Sequence, residues 1–285
     1  MNVVSKLVID AAVATEAAKA KAAATYNAAA DHFDDAPLAF WARHGKGTVE
    51  RLALRPGATV LDVGCGTGAS ALPAAERVGP AGRVIGVDLA EAMLAKGRAA
   101  AAERGLRNIE FRTGDMAQLG YPDGHFDAVV CVFAIFFLPD MERQVAELWR
   151  MVRPGGQLAI TTWGPRFCQP GASYFWSAVR RVRPDLHAAF NPWDRISDPE
   201  AVRQLLRDGG VPDADVVAVH DRQKLRSVED WWTVVLGAGF RWTVEQMGPT
   251  IAAQVRNVCI ECLWENAVDE IETNAIYAVA TKDDI

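Results

Sequence analysis

Apolar positions along this chain keep two different rhythms. Residues 5–30 are rich in alanine and residues 41–54 place bulk at three- and four-residue spacing, so both segments are predicted to be helical. From residue 59 the pattern changes: short, nearly continuous apolar runs at 60–63, 83–88, 109–113, 126–133 and 157–163 alternate with helical stretches. Runs of that kind are the signature of strands buried on both faces. Their regular alternation with helices predicts an α/β fold built on a doubly wound, mostly parallel sheet. A helix over 198–208, a strand over 214–219, a helical stretch over 228–267 and a last strand over 274–281 follow, bringing the expected number of strands to seven.

The run Val60-Leu61-Asp62-Val63-Gly64-Cys65-Gly66-Thr67-Gly68 is a strand entering a glycine turn, with Ala69 to Leu72 opening a helix behind it. In that geometry backbone N–H groups can meet the anionic or polar end of a nucleotide-like cofactor. Gly64, Gly66 and Ala69 also satisfy the G-x-G-x-x-G/A spacing of dinucleotide-binding proteins, a weak signal when alone. Asp62 decides between the two: a carboxylate there repels a pyrophosphate but suits an ammonium or a nearby sulfonium, which favours S-adenosylmethionine over NAD.

Further marks lie downstream in order. Asp88 closes the second apolar strand, where an acid can accept both ribose hydroxyls. Gly114, Asp115 and Met116 close the third, with Asp115 placed to take the adenine amino proton and Met116 to pack on the ring. Arg153-Pro154-Gly155-Gly156 stops a helix and leads into the fifth strand. The motifs LDVGCGTG (61–68), GVDLAEAML (86–94), GDM (114–116), FDAVV (126–130) and LWRMVRPGGQL (148–158) together resemble the class I S-adenosylmethionine-dependent methyltransferases, in particular the group related to ubiquinone/menaquinone-biosynthesis C-methyltransferases.

That resemblance implies a Rossmann-like methyltransferase fold whose sheet ends in an antiparallel strand, a role that residues 274–281 fit. It also implies a cofactor shell of Asp62, Gly64, Cys65, Gly66, Gly68, Asp88, Leu89, Met93, Gly114, Asp115, Met116, Cys131 and Phe136, with Tyr26 and Phe33 folded over the sulfonium, where an aromatic face attracts a cation. Residues 1–54 are then a helical cover and 55–163 the cofactor-binding core. Residues 164–285 complete the same domain, with cap insertions at 164–196 and 228–267.

Aromatic residues crowd those insertions. Of nine tryptophans only Trp149 and Trp163 fall within 55–163. Phe133, Phe137, Trp163, Phe167, Trp176, Trp193, Trp231 and Trp232 are the expected walls of an apolar acceptor pocket, with Phe190 in the first insertion as well. The expected acceptor is therefore a small hydrophobic molecule: aromatic, quinone, polyketide or terpenoid-like. Methyl transfer to it requires mainly alignment and exclusion of water, so a base is optional. If one acts, His44 and Asp34 are the candidates, His44 first because imidazole exchanges protons near neutral pH.

A formal charge of −6 and a pI near 5.5 argue against a nucleic-acid footprint. No apolar run of about 18 residues is present to span a bilayer, and a cytoplasmic location is expected. Cys259 and Cys262 stand at helical spacing with no second pair nearby, so no metal site is expected. The alanine-rich first helix has little bulk to bury. It reads as a cover or as a docking helix for a homodimer. The other readings are a protein that binds adenosylmethionine without turnover and, on the glycine turn and Asp88 alone, an NAD-dependent oxidoreductase.

Overall fold

The computed structural model describes residues 3–187 and 191–284; Phe190 lies outside them. The chain opens with α1 (Val3–Ala29) and α2 (Phe40–Glu50), then winds β1 (Thr59–Val63), α3 (Ala71–Val78), β2 (Arg83–Asp88), α4 (Glu91–Glu103), β3 (Ile109–Thr113), β4 (Phe126–Val132), α5 (Met141–Met151) and β5 (Val152–Trp163). There follow α6 (Gly171–Val182), α7 (Pro199–Asp208), β6 (Asp215–Val219), β7 (Arg222–Lys224), α8 (Asp230–Leu236), α9 (Arg241–Glu265), β8 (Glu270–Glu272) and β9 (Ala275–Thr281).

Seven strands form one sheet in the order β3-β2-β1-β4-β5-β9-β6. The first five are mutually parallel, while β9 slots between β5 and β6 and runs antiparallel to both. This is the doubly wound, mostly parallel seven-stranded sheet expected from the alternation, and residues 274–281 supply the antiparallel strand. Period-2 side chains sort the core into two layers. Val60, Val84, Ala128, Val130 and Ala159 face α3. Leu61, Val63, Ile85, Val87, Val129, Cys131, Leu158 and Ile160 face the opposite layer with Leu148 and Met151 of α5.

Local signals account for the helices. Asp140 accepts the Arg143 N–H at 2.9 Å to cap α5, and Met141, Val145, Leu148 and Met151 then bury one stripe. Asp198 caps α7 in the same way, through the N–H groups of Glu200 and Ala201. The helical stretch after residue 228 is two helices, and α9 is itself bent at Gly248 (φ 71°), just before Pro249. Chemistry too short to read as pattern forms the β7–β8 ribbon: Arg222, Gln223 and Lys224 face Glu272, Ile271 and Glu270, with Arg222 and Lys224 both paired to Glu270. α1 lies against α4 and α9 of its own chain. Among the described residues no helix is long and apolar enough to cross a membrane.

Candidate functional site

Four parallel strands deliver their C-terminal ends to one place, and that follows from strand order alone. Gly64 after β1, Asp88 ending β2, Gly114 after β3 and Phe133 after β4 border one cavity. Gly64 (φ 70°) and Gly66 (φ 52°) take the left-handed conformations of a tight turn. The amides of Gly64 and Cys65 both donate to the Val87 carbonyl, the Gly66 N–H donates to Asp88 Oδ2 at 2.9 Å, and Gly68 N–H donates to Cys65 O. Those four N–H groups hold the turn together instead of pointing freely outward, as the strand-turn-helix reading expected.

Asp88 accepts the N–H groups of Gly66 and Ala90, each at 2.9 Å, which fixes its carboxylate in the cavity wall. Burial pushes its pKa up, against the pull of those same amide bonds. Asp62 lies beneath the turn, buried one layer behind the cavity wall and not part of it; Ser70 Oγ donates to its Oδ2 at 2.6 Å, while Oδ1 has no partner. Burial, reinforced by the charge of Asp88, pushes the Asp62 carboxyl up to about 7.

The roof comes from the N-terminal segment. Tyr26 and Phe33 meet edge to face with centroids 6.2 Å apart, and Phe33 stacks on Trp41 at 4.8 Å. All three border the cavity, as do Cys65, Leu89, Met93, Met116, Phe137 and two alanines of α1, Ala22 and Ala23. The cavity holds about 100 Å³, less than the 300–1,000 Å³ of typical ligand sites. A nucleoside-sized ligand therefore needs the roof to give way.

Lys19 is the clasp on that roof. Its Nζ donates to Asp115 Oδ2 at 2.6 Å and to Glu16 at 2.9 Å, while Asp115 Oδ1 caps the Ala117 N–H. Both oxygens of Asp115 are thus engaged, and Asp115 stands outside the cavity wall although its neighbours Gly114 and Met116 form part of it. Lys19→Ala is expected to speed cofactor association several-fold in stopped-flow fluorescence. Both side chains keep some solvent contact, which holds the stability cost to about 1 kcal/mol. An unchanged association rate would mean that α1 does not gate entry.

The remaining expected site residues are distributed as follows. Gly68, Cys131 and Phe136 are packed behind the cavity and do not border it. Asp34 accepts a hydrogen bond from Thr67 Oγ1 at 2.7 Å and also stands outside the wall. His44 is buried: its Nε2–H donates to the Thr273 carbonyl (2.8 Å) and its Nδ1 accepts from the Tyr277 hydroxyl (2.6 Å). Burial holds its pKa down at about 4, so the ring is neutral, fully bonded and not placed to take an acceptor's proton. Its position anchors α2 to β9.

Aromatic side chains form a continuous column beside the cavity. Phe133 stacks on Trp163 (3.6 Å), which stacks on Phe167 (3.7 Å). Phe133 (φ 53°), Arg166 (φ 65°) and Cys168 (φ 58°) all adopt left-handed backbone, a conformation that costs non-glycine residues about 1–3 kcal/mol and gathers at functional sites. Beyond the column lies a second cavity of about 320 Å³ bordered by Phe167, Trp176 and Trp193 of the first insertion and Phe240 of the second. Trp231 and Trp232 are elsewhere: Trp231 is fully buried against Phe240, and Trp232 packs toward Phe175.

A parallel sheet with a glycine turn, an acid at the end of the next strand and a roofed cavity at the strand ends defines a Rossmann-like α/β protein that binds a nucleotide-type cofactor. Residues 60–156 match the family described as methyltransferase domain, and this stretch is a class I S-adenosylmethionine-dependent methyltransferase domain. The chain is 38% identical over 188 residues to nocamycin O-methyltransferase of Saccharothrix syringae, 61% of this chain and 65% of that one. It is 40% identical over 137 residues to a demethylmenaquinone methyltransferase of Listeria monocytogenes, 48% of this chain and 57% of that one. The matches thus span less than two thirds of either relative. Among solved structures, the [4+2]-cyclase SpnF shares the fold with a TM-score of 0.53 at 24% identity, covering 85% of this chain and 80% of that one.

Proposed function

We propose that the chain transfers the methyl group of S-adenosylmethionine to carbon, oxygen or nitrogen of a small hydrophobic acceptor by in-line displacement. The observation that carries this reading is the single cavity in which Gly64, Asp88 and Gly114 meet the aromatic roof of Tyr26, Phe33, Phe133 and Phe137. Both relatives are methyltransferases by name, one an O-methyltransferase and one acting on demethylmenaquinone, which supports an apolar acceptor. A shared fold with a cyclase does not fix the reaction, so the assignment rests on the site.

The residues present fit a cationic nucleoside. Asp62 Oδ1 is a buried carboxylate oxygen with no partner, the kind of group an ammonium satisfies. Asp88 has lone pairs left beyond its two amide bonds for ribose hydroxyls. Tyr26 and Phe33 border the cavity, where aromatic rings can attract a positive centre. When bound, S-adenosylmethionine supplies both the methyl group and its own leaving group. The chain's part is to orient and to dry the site: the aromatic roof excludes water, and the Phe133–Trp163–Phe167 column offers a flat apolar wall to an acceptor entering from the second cavity. No histidine borders the cavity among the described residues, so this reading leaves deprotonation to the acceptor's own acidity.

Calorimetric titration with S-adenosylmethionine, S-adenosylhomocysteine and NAD tests the proposal, with Asp88→Ala alongside. Micromolar binding of the first two is expected, weakened by about 1.5–3 kcal/mol in the variant, the usual value of hydrogen bonds to a charged group. Binding of NAD alone would overturn the reading.

A further inference from the structure

Three contacts pin the N-terminal segment around the cavity. Asn27 Oδ1 accepts the Ala92 N–H at 2.9 Å at the start of α4, Asp34 accepts from Thr67 beside the glycine turn, and Lys19 reaches Asp115 after the end of β3. None of the four residues in the first two contacts borders the cavity. The third contact differs in kind. Asp115 is flanked in sequence by two wall residues, Gly114 and Met116, and Lys19 stands one helical turn before Ala22 and Ala23, the part of α1 that forms the wall. Lys21 goes elsewhere, over the Trp242 ring at 5.4 Å.

The pair is largely shielded, with 12% of the Lys19 side chain and 20% of the Asp115 side chain exposed. Breaking such a pair outright leaves a poorly solvated charge without a partner, which is costly. An exchange of partners avoids that cost. Glu16, largely exposed and three residues earlier on α1, holds the same ammonium at 2.9 Å, so Lys19 can turn toward solvent with its charge still matched. Asp115 Oδ1 meanwhile keeps the Ala117 N–H, and Oδ2 is the acceptor that Lys19 vacates. An ionised carboxylate only accepts, so what replaces the ammonium there must be another donor, and the exocyclic amino group of a nucleobase is one.

We infer that Lys19 is an intramolecular competitor for the cofactor's base: it holds on Asp115 the place of the adenine 6-amino group, and the base binds by displacing it. This rests on the methyltransferase reading above. The exchange makes release of the α1 cover conditional on a ligand that carries the amino group, so Lys19 adds a check of base identity to a cavity whose carboxylate at Asp88 serves the ribose. A clasp favoured about fivefold over its open form, ordinary for such an ion pair, leaves about one molecule in six competent and weakens the apparent affinity about sixfold.

The test compares S-adenosylhomocysteine with its 6-deamino analogue, identical except for the amino group, by calorimetry on wild-type protein and Lys19→Ala. The variant should bind the amino ligand about sixfold more tightly and the analogue no differently, because the analogue cannot take over Asp115. Lys19→Arg, which keeps a donor for Asp115, should return both affinities to wild-type values. Side-chain ammonium signals of wild-type protein carrying nitrogen-15 lysine are followed by NMR, with the Lys19 signal identified by its absence in either variant. Saturating S-adenosylhomocysteine should move that signal to the position of solvent-exposed lysines, and the analogue should leave it in place. The proposal is overturned if Lys19→Ala fails to tighten S-adenosylhomocysteine, or tightens both ligands equally, which would make α1 a steric cover blind to the base. It is also overturned if the Lys19 signal stays put in the S-adenosylhomocysteine complex or moves with both ligands. Wild-type protein that binds neither ligand would remove the methyltransferase reading itself, a separate result seen before any variant is compared.

Discussion

Gly64→Ala should abolish cofactor binding in calorimetry and cost about 3 kcal/mol of stability or more in a denaturant titration. A Cβ on Gly64 would lie 2.3 Å from the Ala134 Cβ, and the residue sits at φ 70°. Two penalties therefore combine: left-handed backbone for a non-glycine residue, about 1–2 kcal/mol, and overpacking between two rigid backbone segments, about 1–3 kcal/mol. Neither contact can relax by turning a rotamer, because a methyl group has none. Gly105→Ala separates the two, since Gly105 has φ 67° in a left-handed helix cap with nothing within 4 Å of its would-be Cβ. That control should lose about 1 kcal/mol and bind cofactor normally. Equal behaviour of the two variants would mean that the fit between the β1 and β4 ends is not what shapes the site.

Affinity for S-adenosylmethionine should fall about tenfold for each pH unit below about 7 and level off between 7 and 8. Burial, aided by the neighbouring Asp88 charge, raises the Asp62 carboxyl to about 7, while the Ser70 hydrogen bond acts the other way. An ammonium pairs with the ionised form only. Below pH 7 the carboxyl carries a proton that binding must expel, which gives one proton released per ligand and a slope of one decade per unit. From pH 7 to 5 the loss is about a hundredfold. Asp62→Asn should bind weakly at every pH and show no such slope; if the variant keeps the wild-type slope, Asp88, which is also raised, carries the proton instead.

Much of the fold was legible because its central strands are buried on both faces. Runs such as Phe126-Asp127-Ala128-Val129-Val130-Cys131-Val132 leave little alternative to a strand in a parallel sheet. The glycine turn and Asp88 could be read for the same reason, since chain order fixes which strand ends meet. The β7–β8 ribbon could not: three residues per strand with charged side chains carry no periodicity, and only the pairing with Glu270 makes it visible.

At the site, what escaped was pairing across long stretches of chain. Nothing near Asp115 announces that Lys19 will occupy it, 96 residues away. His44 read as a base because an isolated imidazole is one; its partners Thr273 and Tyr277 lie 229 and 233 residues on. Trp231 and Trp232 were expected in the acceptor pocket because aromatic bulk looks alike whether it lines a pocket or joins helices. Trp41 was passed over, because only the folded chain brings it into the cavity wall beside Tyr26 and Phe33.

The placement of β9 between β5 and β6 sets an order of assembly. While the chain is being synthesised, the β5 edge and the whole of β6 stay without neighbours until residues 275–281 emerge, long after the glycine turn and β1–β4 are available to pair. An unpaired central edge is a hazard for association with other chains during that interval. Because Tyr277 and Thr273 also hold His44, and through it the helix that carries Trp41, the pocket wall is completed by the last strand to arrive. A nascent chain can thus present its cofactor turn early but matures into a shaped reaction chamber only when its final strand zips home.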